Sequence, residues 1–194
     1  MQIISSLLLL GGAPFLATYG PQLLAACTAY VGEVVERGLL LMLPPMDILL
    51  IAAPQQAAPM IQPFMQRLLG LILSGRESGV VIANSLTLIG RLLLQSPSAF
   101  EQLIGAAAAA GIGARGAASG PEALLVSLAS LWCEAFDSIA QPLARKLSAC
   151  ALAMLLGLPV KVRRPSSFSI RLLLSTLTRP VRFACHLETS LVVK

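Results

Sequence analysis

The fold class follows from residues 58–95, which read APMIQPFMQRLLGLILSGRESGVVIANSLTLIGRLLLQ. Between Met60 and Ile72, apolar residues recur every three or four positions, a spacing that predicts a helix with one apolar face. The opposite side carries polar side chains that we expect to face solvent: Gln62, Gln66, Arg67 and Ser74.

A polar turn and a second helix complete this stretch. Residues 74–79 are rich in serine and glycine and break the helical pattern. From Val80 to Leu94, apolar side chains occupy almost the whole circumference of the predicted helix. We therefore expect other elements to pack against it on more than one side. It stops at Ser96-Pro97, because the residue before proline is pushed out of the α region. This pair of helices predicts a stacked helical repeat.

The spacing of successive helix pairs identifies the kind of repeat. First helices begin near Pro21, Ala57, Ser98 and Gln141. The offsets are roughly 36, 41 and 43 residues, close to the HEAT and armadillo period of about 40–47. The predicted fold class is therefore all-α: a HEAT/armadillo-like α-solenoid (α–α superhelix) of antiparallel helix pairs over residues 1–157. Solenoids of this kind usually bind other proteins.

Prolines guide the predicted helix boundaries in the first half of the chain. Pro21 is expected to open a helix, since proline fits the first helical position. Pro44-Pro45 is expected to start a short helix over residues 46–53. Pro63 leaves two alternatives, because the helix described above either begins near it or is kinked by it.

The second half contains three more predicted helices and a low-complexity segment. Ser98 is predicted to cap a helix, with Glu101 completing a capping box. Residues 106–120 are predicted to form a flexible insertion. Further helices start at Pro121 and Ile139. The apolar repeat of the last helix predicts these residues inward: Leu143, Leu147, Cys150, Ala151, Met154 and Leu155.

Charge is distributed unevenly along the chain. Of 194 residues, 56% are hydrophobic and 12% are charged, which is too apolar for a disordered protein. Residues 158–194 carry seven basic side chains and one acidic, whereas the remainder carries seven basic and eight acidic. This predicts a basic, poorly structured tail over residues 158–194. The neutral body offers no phosphate-binding patch, so nucleic acid is not an expected partner.

No arrangement of reactive side chains indicates an enzyme. The four cysteines form no C-x-x-C pair, so neither a disulfide framework nor a metal site is predicted. The spacing Gly111-x-Gly-x-x-Gly116 lacks the preceding strand that dinucleotide binding requires. His186, the single histidine, adjoins Cys185 and has no oriented partner. We therefore predict no catalytic residue, no cofactor and no metal.

The remaining polar and aromatic residues have structural interpretations. Isolated carboxylates are expected at helix ends or on solvated faces: Asp47, Glu101, Glu134 and Asp137. Trp132 is expected to be a core anchor between stacked pairs rather than a ligand platform. Arg145-Lys146 is expected to pair with acids on a neighbouring helix, with acidic cargo as the alternative.

The alternative to a soluble assembly is a small helical membrane protein anchored by residues 1–32, which carry no charged side chain. A spanning helix needs about 20 consecutive apolar residues. Glycines and prolines interrupt this run, and no basic residue precedes it as in a signal peptide. Buried helices of a soluble assembly are favoured, and a membrane is not the expected partner.

Five segments share their order and spacing with a known family. They are residues 38–50, Ala58-Pro59, residues 82–85, residues 91–95 and residues 132–152. The last is the most specific, with a tryptophan, an acidic residue, Gln-Pro and Arg-Lys-Leu in that order. Together they resemble the carboxy-terminal part of one branch of the importin-β family of nuclear transport receptors.

The resemblance implies a HEAT-repeat superhelix that carries cargo through nuclear pores under the control of the small GTPase Ran. The implied partners are cargo proteins and nuclear-pore proteins, and the implied location is nucleus and cytoplasm. Ran would bind through an amino-terminal region that this chain lacks, so the chain is expected to be a fragment. The resemblance is expected to stop at Leu158, with a tail from a shifted frame or a retained intron.

Carbonate extraction of the expressed chain separates the soluble and the membrane interpretations. We expect the chain in the supernatant, because other helices rather than lipid cover its apolar faces. A chain that remains in the membrane pellet would support the anchor over residues 1–32 instead.

Overall fold

A computed structural model describes residues 2–113 and 120–157, which lie within one compact unit, Met1–Leu158. The described residues form eight α-helices and one 3-10 turn, and none of them is in a strand. The helices are α1 (Gln2–Tyr30), α2 (Glu36–Ala52), α3 (Pro54–Met60), α4 (Gln62–Leu73), α5 (Gly79–Gln95), α6 (Pro97–Ala109), α7 (Pro121–Ala135) and α8 (Pro142–Gly157), with the 3-10 turn at Phe136–Ser138. The predicted all-α fold is confirmed. The predicted tail, residues 158–194, lies outside the described residues.

Helix α5 lies at the centre of the described fold. It contacts α2, α4, α6, α7 and α8. Its buried residues span most of the helix circumference: Val81, Ala83, Ser85, Leu86, Leu88, Ile89, Gly90, Leu92 and Leu93. The prediction that this helix needs cover on more than one side is therefore confirmed.

The helices pair and stack as an α-solenoid requires. Helix α1 packs against α2 and α4 packs against α5, so in these two pairs the first helix contacts the second. In the first row α4 contacts α1 and α6, and in the second row α5 contacts α2 and α8. The prediction that a first helix begins near Gln141 is therefore wrong, because α8 packs on the second helix α5. Each pair thus buries the apolar face of its neighbour. Phe64, Leu92 and Trp132 are fully buried in this stack, as predicted.

The predictions that Pro21 and Pro44-Pro45 begin helices are wrong. Helix α1 runs through Pro21 and is kinked instead at Gly12, where φ is 49° and ψ is −138°. Helix α2 runs through both of its prolines. An interior proline costs about 3 kcal/mol, because it removes a hydrogen bond and crowds the preceding turn. The apolar side chains of α1 and α2 share one core, and their burial offsets this cost.

Two further prolines, Pro63 and Pro97, lie in the first turn of a helix. Helix α3 ends at Met60, and α4 begins at Gln62 with Pro63 in its first turn, so the first of the two alternatives is correct. Helix α6 begins at Pro97, one residue earlier than predicted. The predicted capping box of Ser98 and Glu101 is therefore wrong, because proline already occupies the first helical position.

The low-complexity segment divides at the end of α6. Residues 106–109 belong to α6, and the chain then turns at Gly111 and Gly113, where φ is 73° and 75°. These left-handed values suit glycine, which has no Cβ. Residues 114–119 lie outside the described residues, so the flexible insertion stays a prediction.

Helix α8 turns most of its predicted face inward, since Ala151 is buried, Met154 and Leu155 pack against the core and Leu147 lies beside Gly90. Leu143 is 73% exposed and Cys150 is also exposed, whereas Ser148 and Ala151 are buried. These small side chains let α8 approach α5, where Gly90 presents no side chain. The apolar repeat therefore identified the inward face, but it misplaced Leu143 and Cys150 and did not predict the burial of Ser148.

Gly90→Val is expected to lower the free energy of unfolding by about 1–3 kcal/mol, the usual cost of overpacking. A Cβ atom here would lie 2.9 Å from Leu147 Cδ2 and 3.0 Å from Trp132 Cζ2. The matched control is Gly105→Val on α6, where a Cβ atom meets nothing within 4 Å. Urea unfolding followed by circular dichroism measures the free energy of unfolding of both variants. Equal decreases for the two variants would contradict close packing of α5 against α8.

Candidate protein-binding groove

The described residues contain no cluster that could act as a metal site. Within residues 2–113 and 120–157, no three His, Cys, Asp or Glu side chains come together. Burial raises the pKa of the Cys27 thiol, and burial together with the negative charge of Glu134 raises the pKa of the Cys133 thiol. Both thiols are held in the protonated form, which is a poor nucleophile. His186 and Cys185 lie outside the described residues.

Asp47 does not have the helix-end or solvated role expected for it. It lies in the interior of α2 and forms an ion pair with Arg91 on α5. Ser78, which caps α5 by accepting a hydrogen bond from the Val81 amide, also donates one to Glu36 at 2.8 Å. Two polar links therefore join α2 to α5, and the sequence pattern gave no sign of either.

Arg145 packs locally instead of pairing with an acid. Its guanidinium lies 5.7 Å from the centre of the Phe136 ring and donates to the Asp137 carbonyl oxygen at 3.4 Å. Neither Arg145 nor Lys146 forms an ion pair with any described residue, so the expected pairing with a neighbouring helix is wrong. Lys146 and the carboxylate of Glu101 are exposed.

The polar side of α4 joins neighbouring helices instead of simply facing solvent. Gln62 donates to the Ala99 carbonyl at 2.7 Å and Gln66 to the Ala106 carbonyl at 3.3 Å, which links α4 to α6. On the other side, Arg67 Nη1 donates to the carbonyls of the last turn of α1, with distances of 2.7 Å to Thr28 and 3.3 Å to Ala29. The repeat pattern identified these residues as polar but could not identify their partners.

An apolar groove lies between α1 and the α3–α4 segment. Its volume is about 530 Å³, and we call it the α1/α4 groove. Pro21 and Leu24 line it from α1, and Met60 and Pro63 line it from α3 and α4. The charged side chain that lines it is Arg67. Thr28 also lines it, and a mostly apolar concave surface with a few polar groups is the usual form of a ligand-binding site.

Helix α1 also presents an uncovered apolar face. Ile3 is 76% exposed and Leu10 is 87% exposed, and no residue from Gln2 to Tyr30 is charged. Among the described helices, α1 is long and apolar enough to cross a membrane, judged by length and composition alone. Leu8, Leu16 and Leu24 on its other face are buried in the core.

The described helices pair and stack as an all-α solenoid. The chain belongs to the family described as "Importin-11-like, TPR repeats", which matches residues 1–178. It is 30% identical over 155 residues to Importin-11 of Homo sapiens and 28% identical over 157 residues to Importin-11 of Mus musculus. Each alignment covers 80% of this chain and 15% of the relative. No solved structure matches the chain.

These matches confirm the resemblance to the importin-β family found in the sequence. They also correct its extent, because the family match continues to residue 178 whereas the resemblance was expected to stop at Leu158. The basic composition after Leu158 marks a change in charge, not the end of the family match.

The ion pair of Asp47 and Arg91 is expected to contribute a coupling energy of about 0.5–1 kcal/mol, typical of a partly exposed pair. Their side chains are 31% and 18% exposed. Urea unfolding of Asp47→Ala, Arg91→Ala and the double variant measures the coupling, which should shrink at high salt. If the decreases in the free energy of unfolding of the two single variants add up to that of the double variant, the pair does not stabilise the α2–α5 contact.

Proposed function

We propose that this chain is a non-enzymatic, protein-binding segment of a nuclear transport receptor that acts in nucleocytoplasmic protein import. The observation that carries the proposal is membership of the importin-11-like family over residues 1–178. The stacked helix pairs and the apolar α1/α4 groove support it, since a solenoid offers an extended surface for partners.

The proposed partners are cargo proteins and nuclear-pore proteins, and the proposed location is nucleus and cytoplasm. The aligned region is 15% of each Importin-11 relative, so the activity of a whole receptor extends beyond this segment. We propose that Ran acts only through an amino-terminal region outside this segment. Nucleic acid is not a proposed partner, because the body of the chain has seven basic and eight acidic residues.

The second candidate is a membrane protein anchored by residues 1–32, and the apolar length of α1 favours it. Two observations weigh against it. The kink at Gly12 divides the apolar run, and Leu16 and Leu24 pack into the core shared with α2. The family match gives the transport function preference over the membrane anchor.

We expect the chain, fused to a fluorescent carrier too large for passive diffusion, to concentrate at the nuclear rim or inside nuclei of permeabilised cells. The physical reason is that binding to pore or cargo proteins holds it there, so excess unlabelled chain should reduce the signal. The control is the carrier alone. An even cytoplasmic distribution would contradict the transport function, and retention on other membranes would favour the anchor.

A further inference from the structure

We propose that the α1/α4 groove binds a short peptide segment of a partner protein in which a large apolar residue is followed by an acidic one. This inference rests on the proposed function for the view that the peptide belongs to a cargo protein. The binding itself is argued from the groove alone.

The groove has the size and lining that suit an apolar side chain. Its volume of about 530 Å³ falls within the usual range of ligand pockets, about 300–1,000 Å³. Leu24 and Met60 supply apolar surface, and Ala25 and Ala29 leave room because their side chains are small. A leucine or phenylalanine placed here would exchange water for apolar contacts on both sides.

Arg67 supplies the charge that selects an acidic neighbour. Its guanidinium has five N–H donors in a planar fork. The structure shows Nη1 bonded to the Thr28 and Ala29 carbonyls, and no described acidic side chain forms an ion pair with Arg67. Backbone carbonyl oxygens therefore hold the positive charge beside the groove without neutralising it. A guanidinium binds a carboxylate best, through two parallel hydrogen bonds.

The carbonyl contacts also fix the position of the guanidinium before any peptide arrives. Those carbonyls belong to the last turn of α1, whose partial negative charge favours a cation there. A side chain that is already oriented loses less conformational entropy on binding. The groove therefore combines an apolar pocket with a cation at a fixed position on its rim.

Fluorescence anisotropy with the full chain tests the proposal. The probe is a fluorescein-labelled peptide with two leucines followed by two glutamates in a glycine-serine background, and its partner peptide has glutamines in place of the glutamates. We expect the glutamate peptide to bind more tightly. Ala25→Leu should weaken binding about tenfold or more by filling the groove.

The matched control is Ala26→Leu, the same change at the next exposed residue, which does not line the groove. It should leave binding unchanged. Arg67→Gln keeps a donor for the α1 carbonyls but removes the charge, so it should weaken the glutamate peptide several-fold and leave the glutamine peptide unaffected. Circular dichroism melting establishes that each variant is folded.

Three results would overturn the proposal. They are equal binding to Ala25→Leu and Ala26→Leu, equal weakening of both peptides by Arg67→Gln, and sedimentation showing a dimer that Ala25→Leu dissociates. The last would assign the groove to a second copy of the chain. The nuclear-rim experiment uses no peptide, so the groove and the transport function can fail independently.

Discussion

The structure depends on the burial of α5 by helices on most of its circumference. Exposing this much apolar surface to water is unfavourable. At about 25 cal/mol per Å² of apolar surface buried, covering the helix contributes more to stability than local preferences such as those of proline. Its neighbours α2, α4, α6, α7 and α8 each turn an apolar stripe towards it. Pairing and stacking of the helices follow from this one requirement.

The sequence predicted the parts of the fold that follow from periodicity. The pattern from Met60 to Leu94 was sufficient for α4, α5 and the turn between them, because apolar spacing reports directly on which side of a helix is buried. The fold class and the family followed from repetition of that pattern. Trp132 was correctly placed in the core, because a large aromatic side chain on the apolar face of a helix gains most from burial.

Predictions based on local signals were less successful where tertiary packing outweighed them. Proline was interpreted as a helix start at Pro21 and Pro44-Pro45, but shared burial of α1 and α2 maintained both helices through those residues. The hydrogen bonds of Gln62, Gln66 and Arg67 go to backbone carbonyls of other helices, and a carbonyl has no signature in the sequence. The α1/α4 groove was missed for the same reason, since it exists only after two distant segments meet.

The small residues at the α5–α8 crossing have a geometric consequence for the stack. Gly90 faces Leu147 and Trp132 at distances that leave no room for a Cβ atom, and α8 buries Ser148 and Ala151 at its own contact. On the opposite row, α4 and α6 are joined through long glutamine side chains. The two rows are therefore joined by different means, with small residues in close contact at α5–α8 and side-chain hydrogen bonds to backbone carbonyls at α4–α6.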